Sequence, residues 1–161
     1  MILGLSLPTF TLIHVLITFV AILSGLAMVR GLLRSDRMDT TTLVFIVFSA
    51  LTNLTGFLFP IHGQTPALVL GLVSSVTMVV MIVARYMFGM RGFWRPVYVV
   101  TALLTLWYNV FVLIVQSFQK VAFLHALAPA GGGPVFGAVQ LAGVVLFVVW
   151  GWLAMKRFRP V

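Results

Sequence analysis

The chain has 161 residues, of which 62% are hydrophobic and only 7% are charged, and its mean hydropathy is +1.21. Soluble domains carry about a quarter charged residues, so this composition excludes an ordinary water-soluble domain and predicts a protein embedded in lipid. There is no cysteine, which excludes disulfides, thiolate catalysis and cysteine-ligated metals. The net charge of +8 raises the question of nucleic-acid binding, which the placement of the charges along the chain decides.

Five apolar runs follow one another along the chain, and each is long enough to cross a bilayer, which takes about 20 residues per helix. They cover residues 8–30, 41–60, 66–88, 96–118 and 135–155. Asp39 and Thr40 come just before the second run and are expected to cap its N-terminus. The connection before the fifth run includes a short apolar stretch that is expected to lie along the membrane surface. We therefore predict an all-α fold, a polytopic membrane bundle of five transmembrane helices that forms a single domain over residues 1–161.

The basic residues indicate how this bundle is oriented. Nine of the ten flank the first loop, the third loop or the C-terminus, whereas Lys120 belongs to the opposite side. The nine are Arg30, Arg34, Arg37, Arg85, Arg91, Arg95, Lys156, Arg157 and Arg159. The positive-inside rule then predicts an N-terminus outside the cell and a C-terminus in the cytoplasm. Because the charges are spread over three short edges, they favour anionic lipid head groups as partners and argue against nucleic acid.

Three arginines near the third loop are the candidates for a contact with anionic lipid at the cytoplasmic edge, namely Arg85, Arg91 and Arg95. Arg85 lies within the last turn of the third run, so its side chain is expected to extend to the head groups. A sharper alternative is that the three residues together hold an anionic ligand.

A few polar side chains lie inside the apolar runs, and their depth can be counted at 1.5 Å per residue. His14, Asn53 and Gln140 each come about 9–10 Å below the outer surface on this count. Asn109 lies nearer the middle of its run, and Gln116 lies just below the outer edge. A spacing of three or four residues places the hydroxyl of Thr18, together with several small residues, on the same helix faces as these polar side chains.

These side chains predict a polar layer in the outer half of the bilayer. Its members are His14, Thr18, Asn53, Asn109, Gln116 and Gln140. Two interpretations stay open: interhelical hydrogen bonds that set helix register, or a small cavity open to the outside that binds a small polar or amphipathic molecule such as a quinone or lipid head group.

Several kinds of enzyme chemistry are excluded. The only two acidic residues, Asp36 and Asp39, lie in the first loop, so no carboxylate faces the polar layer. A carboxylate pair for acid–base catalysis, a Ser-His-Asp triad and the H-E-x-x-H zinc motif are all missing. The sequence therefore favours a non-enzymatic protein.

Two other active roles remain as alternatives. His14, His62 and His125 are all expected toward one side, so they could provide ligands for a b-type heme or another metal. A small-solute transporter would require an oligomer, because five helices show no inverted repeat. The polar stripes end near the middle of the membrane, which favours a closed pocket over a continuous path.

Several motifs in chain order resemble a family of small, uncharacterised five-span inner-membrane proteins of proteobacteria. They are TGFLFP, ARY, WRPVYV, NVFVLIVQSF and LAP, and the resemblance covers about residues 10–158. It implies a bacterial inner-membrane location but no particular activity. The family-like positions are His14, Thr55, Gly56, Pro60, Arg85, Arg95, Asn109, Gln116 and Gln140. Together the observations favour a membrane-complex subunit or accessory protein that acts through other membrane subunits or self-association.

Overall fold

The computed structural model describes residues 1–60, 66–128 and 132–159, and their regular structure is helical apart from one isolated bridge between Ile2 and Leu5. The helices are α1 (Leu7–Arg34), α2 (Asp39–Phe57), α3 (Pro66–Ile82), α4 (Trp94–Lys120), α5 (Ala122–Leu127) and α6 (Pro134–Arg157). A π-helical turn, Val83–Met87, continues α3. His62 lies outside the described residues.

Five helices are long and apolar enough to cross a membrane: α1, α2, α3 with its π-helical turn, α4 and α6. The predicted all-α bundle with five candidate spans is confirmed for the described residues. The largest difference in bounds is at α1, which continues to Arg34 and not to residue 30. It stops there because Ser35 adopts a left-handed conformation (φ 59°) and returns its N–H to the carbonyl of Gly31.

The start of α2 differs from the expected capping arrangement. Asp39 and Thr40 lie within the helix, and the residue before it is Met38, with φ 43° and no side-chain cap. The Asp39 carboxylate pairs with Arg85 and lies 3.4 Å from Nε of Arg37. The carboxylate is therefore held between two guanidinium groups through charge-assisted contacts.

The apolar core occupies one half of the bundle, where α1 ends and where α2 and α4 begin. Its fully buried members include Met28, Leu32, Phe45, Met81 and Leu106. The α1 backbone comes close to α2 and α4 at Gly25. A Cβ there would lie 2.5 Å from Cδ1 of Leu106 and 2.9 Å from Cε2 of Phe45. This half of the bundle is therefore tightly packed.

Candidate ligand-binding cavity

A cavity of about 400 Å³ opens between α1, α2, α3 and α4 in the half of the bundle opposite the apolar core. It is lined by the first half of α1, the last turns of α2, the first turns of α3 and the last turns of α4. Its polar lining residues are Thr11, His14, Thr18, Thr52, Asn53, Ser74, Tyr108, Asn109, Gln116 and Lys120. Valine, leucine, isoleucine and phenylalanine side chains form the rest of the wall. Small-molecule sites have this size and this mixture of apolar wall and few polar groups.

Five of the six residues predicted for the polar layer line this cavity. They are His14, Thr18, Asn53, Asn109 and Gln116. The sixth, Gln140, is not among the residues that line it. Gln140 lies on α6 one turn before Gly143, where a Cβ would come within 2.7 Å of Trp107 on α4. Because α6 packs against the outer side of α4, both amide atoms of Gln140 are buried and lack a partner among the described residues.

One side-chain hydrogen bond links the His14 ring on α1 to α2. Its Nδ1 lies 2.7 Å from Oγ1 of Thr55. That hydroxyl has a single proton, and its geometry directs it to the carbonyl of Leu51, 2.7 Å away. When the hydroxyl donates to that carbonyl, its oxygen accepts from the ring, Nδ1 carries the proton, and Nε2 of the neutral imidazole is a hydrogen-bond acceptor. Nε2 has no hydrogen-bond partner among the described residues, and the ring is held edge-on to Phe59.

Asn53 is fixed by a similar chain of bonds. Its Nδ2 donates to Oγ of Ser75 at 3.1 Å and lies 3.4 Å from Oγ of Ser74. The Ser75 hydroxyl donates its own proton to the carbonyl of Gly71, so it can only accept from Asn53. The amide is thereby oriented, and Oδ1 of Asn53 accepts no hydrogen bond from the described residues.

Asn109 sits deeper and is only 6% exposed. Its Nδ2 donates to the carbonyl of Thr105 at 3.2 Å and lies 3.4 Å from Oγ of Ser49. Because a carbonyl can only accept, the atom of Asn109 that faces Thr105 must be the amide nitrogen. Oδ1 of Asn109 is then left without a hydrogen bond to that helix. Among the described residues, no donor reaches the carbonyl oxygens of Asn53 and Asn109, and neither oxygen is fully enclosed. They are available to a molecule in the cavity.

The cavity therefore presents three oriented acceptors from three helices: Nε2 of His14 and Oδ1 of Asn53 and Asn109. A molecule that donates hydrogen bonds through hydroxyl or N–H groups complements them. Gln116 and Lys120 lie toward the C-terminal end of α4 and add donors at the cavity's outer end. No carboxylate lines the cavity.

Five polar lining residues were not predicted: Thr11, Thr52, Ser74, Tyr108 and Lys120. The sequence did single out Lys120, because it is the one basic residue assigned to this side of the bundle. Tyr108 precedes Asn109 in the middle of α4, too far from a helix end to belong to an interfacial aromatic belt. Thr52 was not predicted because the polar position of this helix was assigned to its neighbour Asn53. The Thr52 hydroxyl lies 3.4 Å from that of Thr18.

The histidines do not converge in the described part of the chain. His125 is exposed on the short helix α5 and does not line the cavity with His14. His62 is outside the described residues. No group of three His, Cys, Asp or Glu side chains comes together among the described residues.

Arg85 occupies a different environment from the head-group contact expected for it. Its side chain is fully enclosed because the π-helical turn directs it into the bundle. Nη1 donates to the Tyr98 hydroxyl at 2.8 Å, and Nη2 donates to the carbonyl of Arg37 at 3.0 Å and to the carboxylate of Asp39. Arg85 therefore ties the first loop to α4. Arg91 and Arg95 instead line a second cavity at this end.

No protein-family model matches this chain, and comparison with curated proteins and with solved structures gives no match either. Function is therefore inferred from the residues and contacts of the chain itself.

Proposed function

We propose that this protein is a non-enzymatic integral protein of the bacterial inner membrane, an accessory protein or membrane-complex subunit, that binds a small amphipathic molecule in the cavity between α1 and α4. The observation that carries the proposal is the set of three oriented acceptors in a cavity of about 400 Å³. Burying so many polar groups in a bundle surrounded by lipid is costly unless something satisfies them.

The orientation follows from charge. Nine basic residues lie at the end of the bundle where α1, α3 and α6 end, and this end faces the cytoplasm under the positive-inside rule. The cavity is at the opposite end, so it opens toward the outer leaflet. The resemblance to five-span proteobacterial proteins is the ground for the bacterial inner membrane.

The ligand is expected to carry hydrogen-bond donors on a compact head and an apolar body. A hydroquinone fits this description, because its two hydroxyl groups can donate to oriented acceptors while its ring and substituents contact the apolar wall. A quinone of the same shape offers only acceptors, so it leaves these groups unpaired. Lipid head groups that carry hydroxyl or amine donors belong to the same chemical class.

Binding is favoured over transport because the cavity is closed at its inner end. Ile22 is the last α1 residue on the wall, and Gly25, one turn further, packs directly against Phe45 and Leu106. This contact leaves no continuous path to the basic end. A role beside other membrane subunits is favoured by α6, which presents an apolar surface with little of its length buried.

The test compares two redox forms of one compound. Calorimetry under anaerobic conditions would measure binding of trimethylhydroquinone and trimethylbenzoquinone to the full chain in neutral detergent. We expect the hydroquinone to bind about tenfold more tightly, since two net hydrogen bonds contribute about 1 kcal/mol each and part of this is lost to ordering. Asn109→Leu should remove most of this preference.

The matched control is Gln140→Leu, the same kind of amide-to-leucine change on a helix that does not line the cavity. It should leave both affinities unchanged. Equal binding of the two redox forms, or an Asn109→Leu variant that keeps the preference, would contradict the proposal.

A further inference from the structure

A second cavity of about 400 Å³ lies at the basic end of the bundle, remote from the one just described. It is lined by Arg37, Gly89, Met90, Arg91, Gly92, Arg95 and Arg159. Four of these seven residues are arginines, and they come from the first loop, the α3–α4 connection, α4 and the segment after α6. Residues far apart in sequence are thus brought to one concave surface of a single charge sign.

Two of the arginines are held side by side by the same carbonyl groups. Nη1 of Arg95 donates to the carbonyls of Met155 and Phe158 at 3.0 and 2.8 Å. Nη1 of Arg159 donates to the same two carbonyls at 3.2 and 3.4 Å. Each guanidinium has five N–H donors in a planar fork, so both retain donors for another acceptor. Two like charges fixed this close favour a counter-anion between or beside them.

No aspartate or glutamate lines this cavity. Asp36 and Asp39 are the only acids of the chain, and neither lines the wall. Asp39 is already paired with Arg85, and Asp36 accepts from the backbone N–H of Met38. Among the described residues, Arg91, Arg95 and Arg159 have no acidic partner. Arg37 is paired with Asp39, whereas the charges of the other three lining arginines are not balanced by a carboxylate in the described part of the chain.

The connection that forms the rim is held in a defined shape. Gly89, Met90 and Gly92 all have left-handed backbone conformations, with φ of 58°, 56° and 52°. Met90 is 3% exposed and its N–H donates to the carbonyl of Ala84, which anchors the turn on the end of α3. Arg91, between these residues, makes no hydrogen bond through its side chain within the described part of the chain, so its guanidinium is available.

We propose that this cavity is a binding site for a phosphate group. Arginine forks match the oxygens of phosphate in paired, charge-assisted hydrogen bonds, and such bonds are about twice as strong as neutral ones. The phosphate could belong to an anionic lipid head group at the membrane surface or to a free phosphate compound, because the recognising chemistry is the same.

The test uses the full chain in neutral detergent and follows the tryptophan fluorescence of Trp94, which stacks on Phe88 beside this cavity. The probes are a short-chain phosphatidylglycerol, the matching phosphatidylcholine and inorganic phosphate. We expect saturable binding of phosphatidylglycerol but not of phosphatidylcholine. Arg91→Gln should weaken the binding about tenfold or more, the loss expected for a hydrogen bond to a charged group.

Arg34→Gln is the matched control, because it removes the same charge from an exposed position at the same end without touching the cavity wall. It should change affinity less than about twofold, the screened effect of a surface charge. Arg91 makes no side-chain hydrogen bond in the described structure, so its variant should keep the wild-type circular dichroism. Arg91→Lys should recover only part of the affinity, because it restores the charge but not the fork.

The probes distinguish the two sources. If phosphatidylglycerol binds and inorganic phosphate fails to compete, the site takes a lipid head group; if inorganic phosphate competes, it takes a free phosphate compound. Equal losses in Arg91→Gln and Arg34→Gln would show a general charge effect and would overturn the proposal. So would the same affinity for phosphatidylcholine and phosphatidylglycerol.

Discussion

Replacing Arg85 with methionine tests whether the buried guanidinium holds the first loop onto α4. The side chain is fully enclosed and donates to the Tyr98 hydroxyl, to the carbonyl of Arg37 and to the carboxylate of Asp39. Methionine keeps much of the aliphatic volume, so little of the loss should come from an empty space. We expect Arg85→Met to lower the free energy of unfolding by about 2 kcal/mol.

The magnitude follows from what each partner loses. The Tyr98 side chain is fully buried and loses a charged donor, which costs about 1–3 kcal/mol. Asp39 is 66% exposed and can rehydrate, so loss of its ion pair contributes less than about 1 kcal/mol. A term of opposite sign arises because Nε of Arg85 is buried without a partner, and methionine removes that cost.

Unfolding in mixtures of neutral detergent and sodium dodecyl sulfate, followed by helical circular dichroism, would measure this difference. In a double-mutant cycle with Tyr98→Phe, the two losses should overlap by about 1 kcal/mol, since both variants break the same hydrogen bond. Arg34→Met, at an exposed position, should leave stability unchanged. An Arg85→Met protein as stable as the wild type would refute the assignment of Arg85 as the link between the first loop and α4.

Three further predictions address packing and the cavity. Gly25→Val should lower the free energy of unfolding by about 1–3 kcal/mol through overpacking, measured in the same unfolding assay. Gly56→Ala should be tolerated, because its Cβ would lie 3.8 Å from the His14 ring. Lowering the pH from about 8 to 5 should weaken hydroquinone binding measured by calorimetry, because protonation of the His14 imidazole turns Nε2 from an acceptor into a donor. His14→Phe should abolish that pH dependence. Gln140→Leu should keep or raise the free energy of unfolding, by up to about 1 kcal/mol, because it removes a buried amide that has no partner; a clear loss would show that the amide is satisfied.

The helices and most of the cavity could be predicted from sequence because both depend on local patterns. Hydropathy over about 20 residues defines a span. The spacing of three and four residues that joins His14 to Thr18 places both on one helix face. Depth counting then brings His14 and Asn53 to one level, and both line the cavity.

The structure differs from the sequence-based expectation where a residue's position depends on something other than its own helix. Gln140 has the depth expected of it, but depth does not say that α6 packs outside α4, which removes the amide from the cavity. Arg85 lies in a π-helical turn, and the extra residue in such a turn shifts the following side chains by about 100° relative to an α-helix.

Placement of the cavity on the outer side of the membrane is the most directly testable part of this account. The chain has no cysteine, so single cysteines can be introduced at Gln116 on the cavity wall and at Arg91 at the basic end. The measurement is labelling of spheroplasts with a membrane-impermeant maleimide, with and without trimethylhydroquinone. Gln116→Cys should be labelled in intact spheroplasts and protected by the hydroquinone, and Arg91→Cys should be labelled only after permeabilisation. Labelling of Arg91→Cys in intact spheroplasts, with Gln116→Cys reacting only after permeabilisation, would contradict the account.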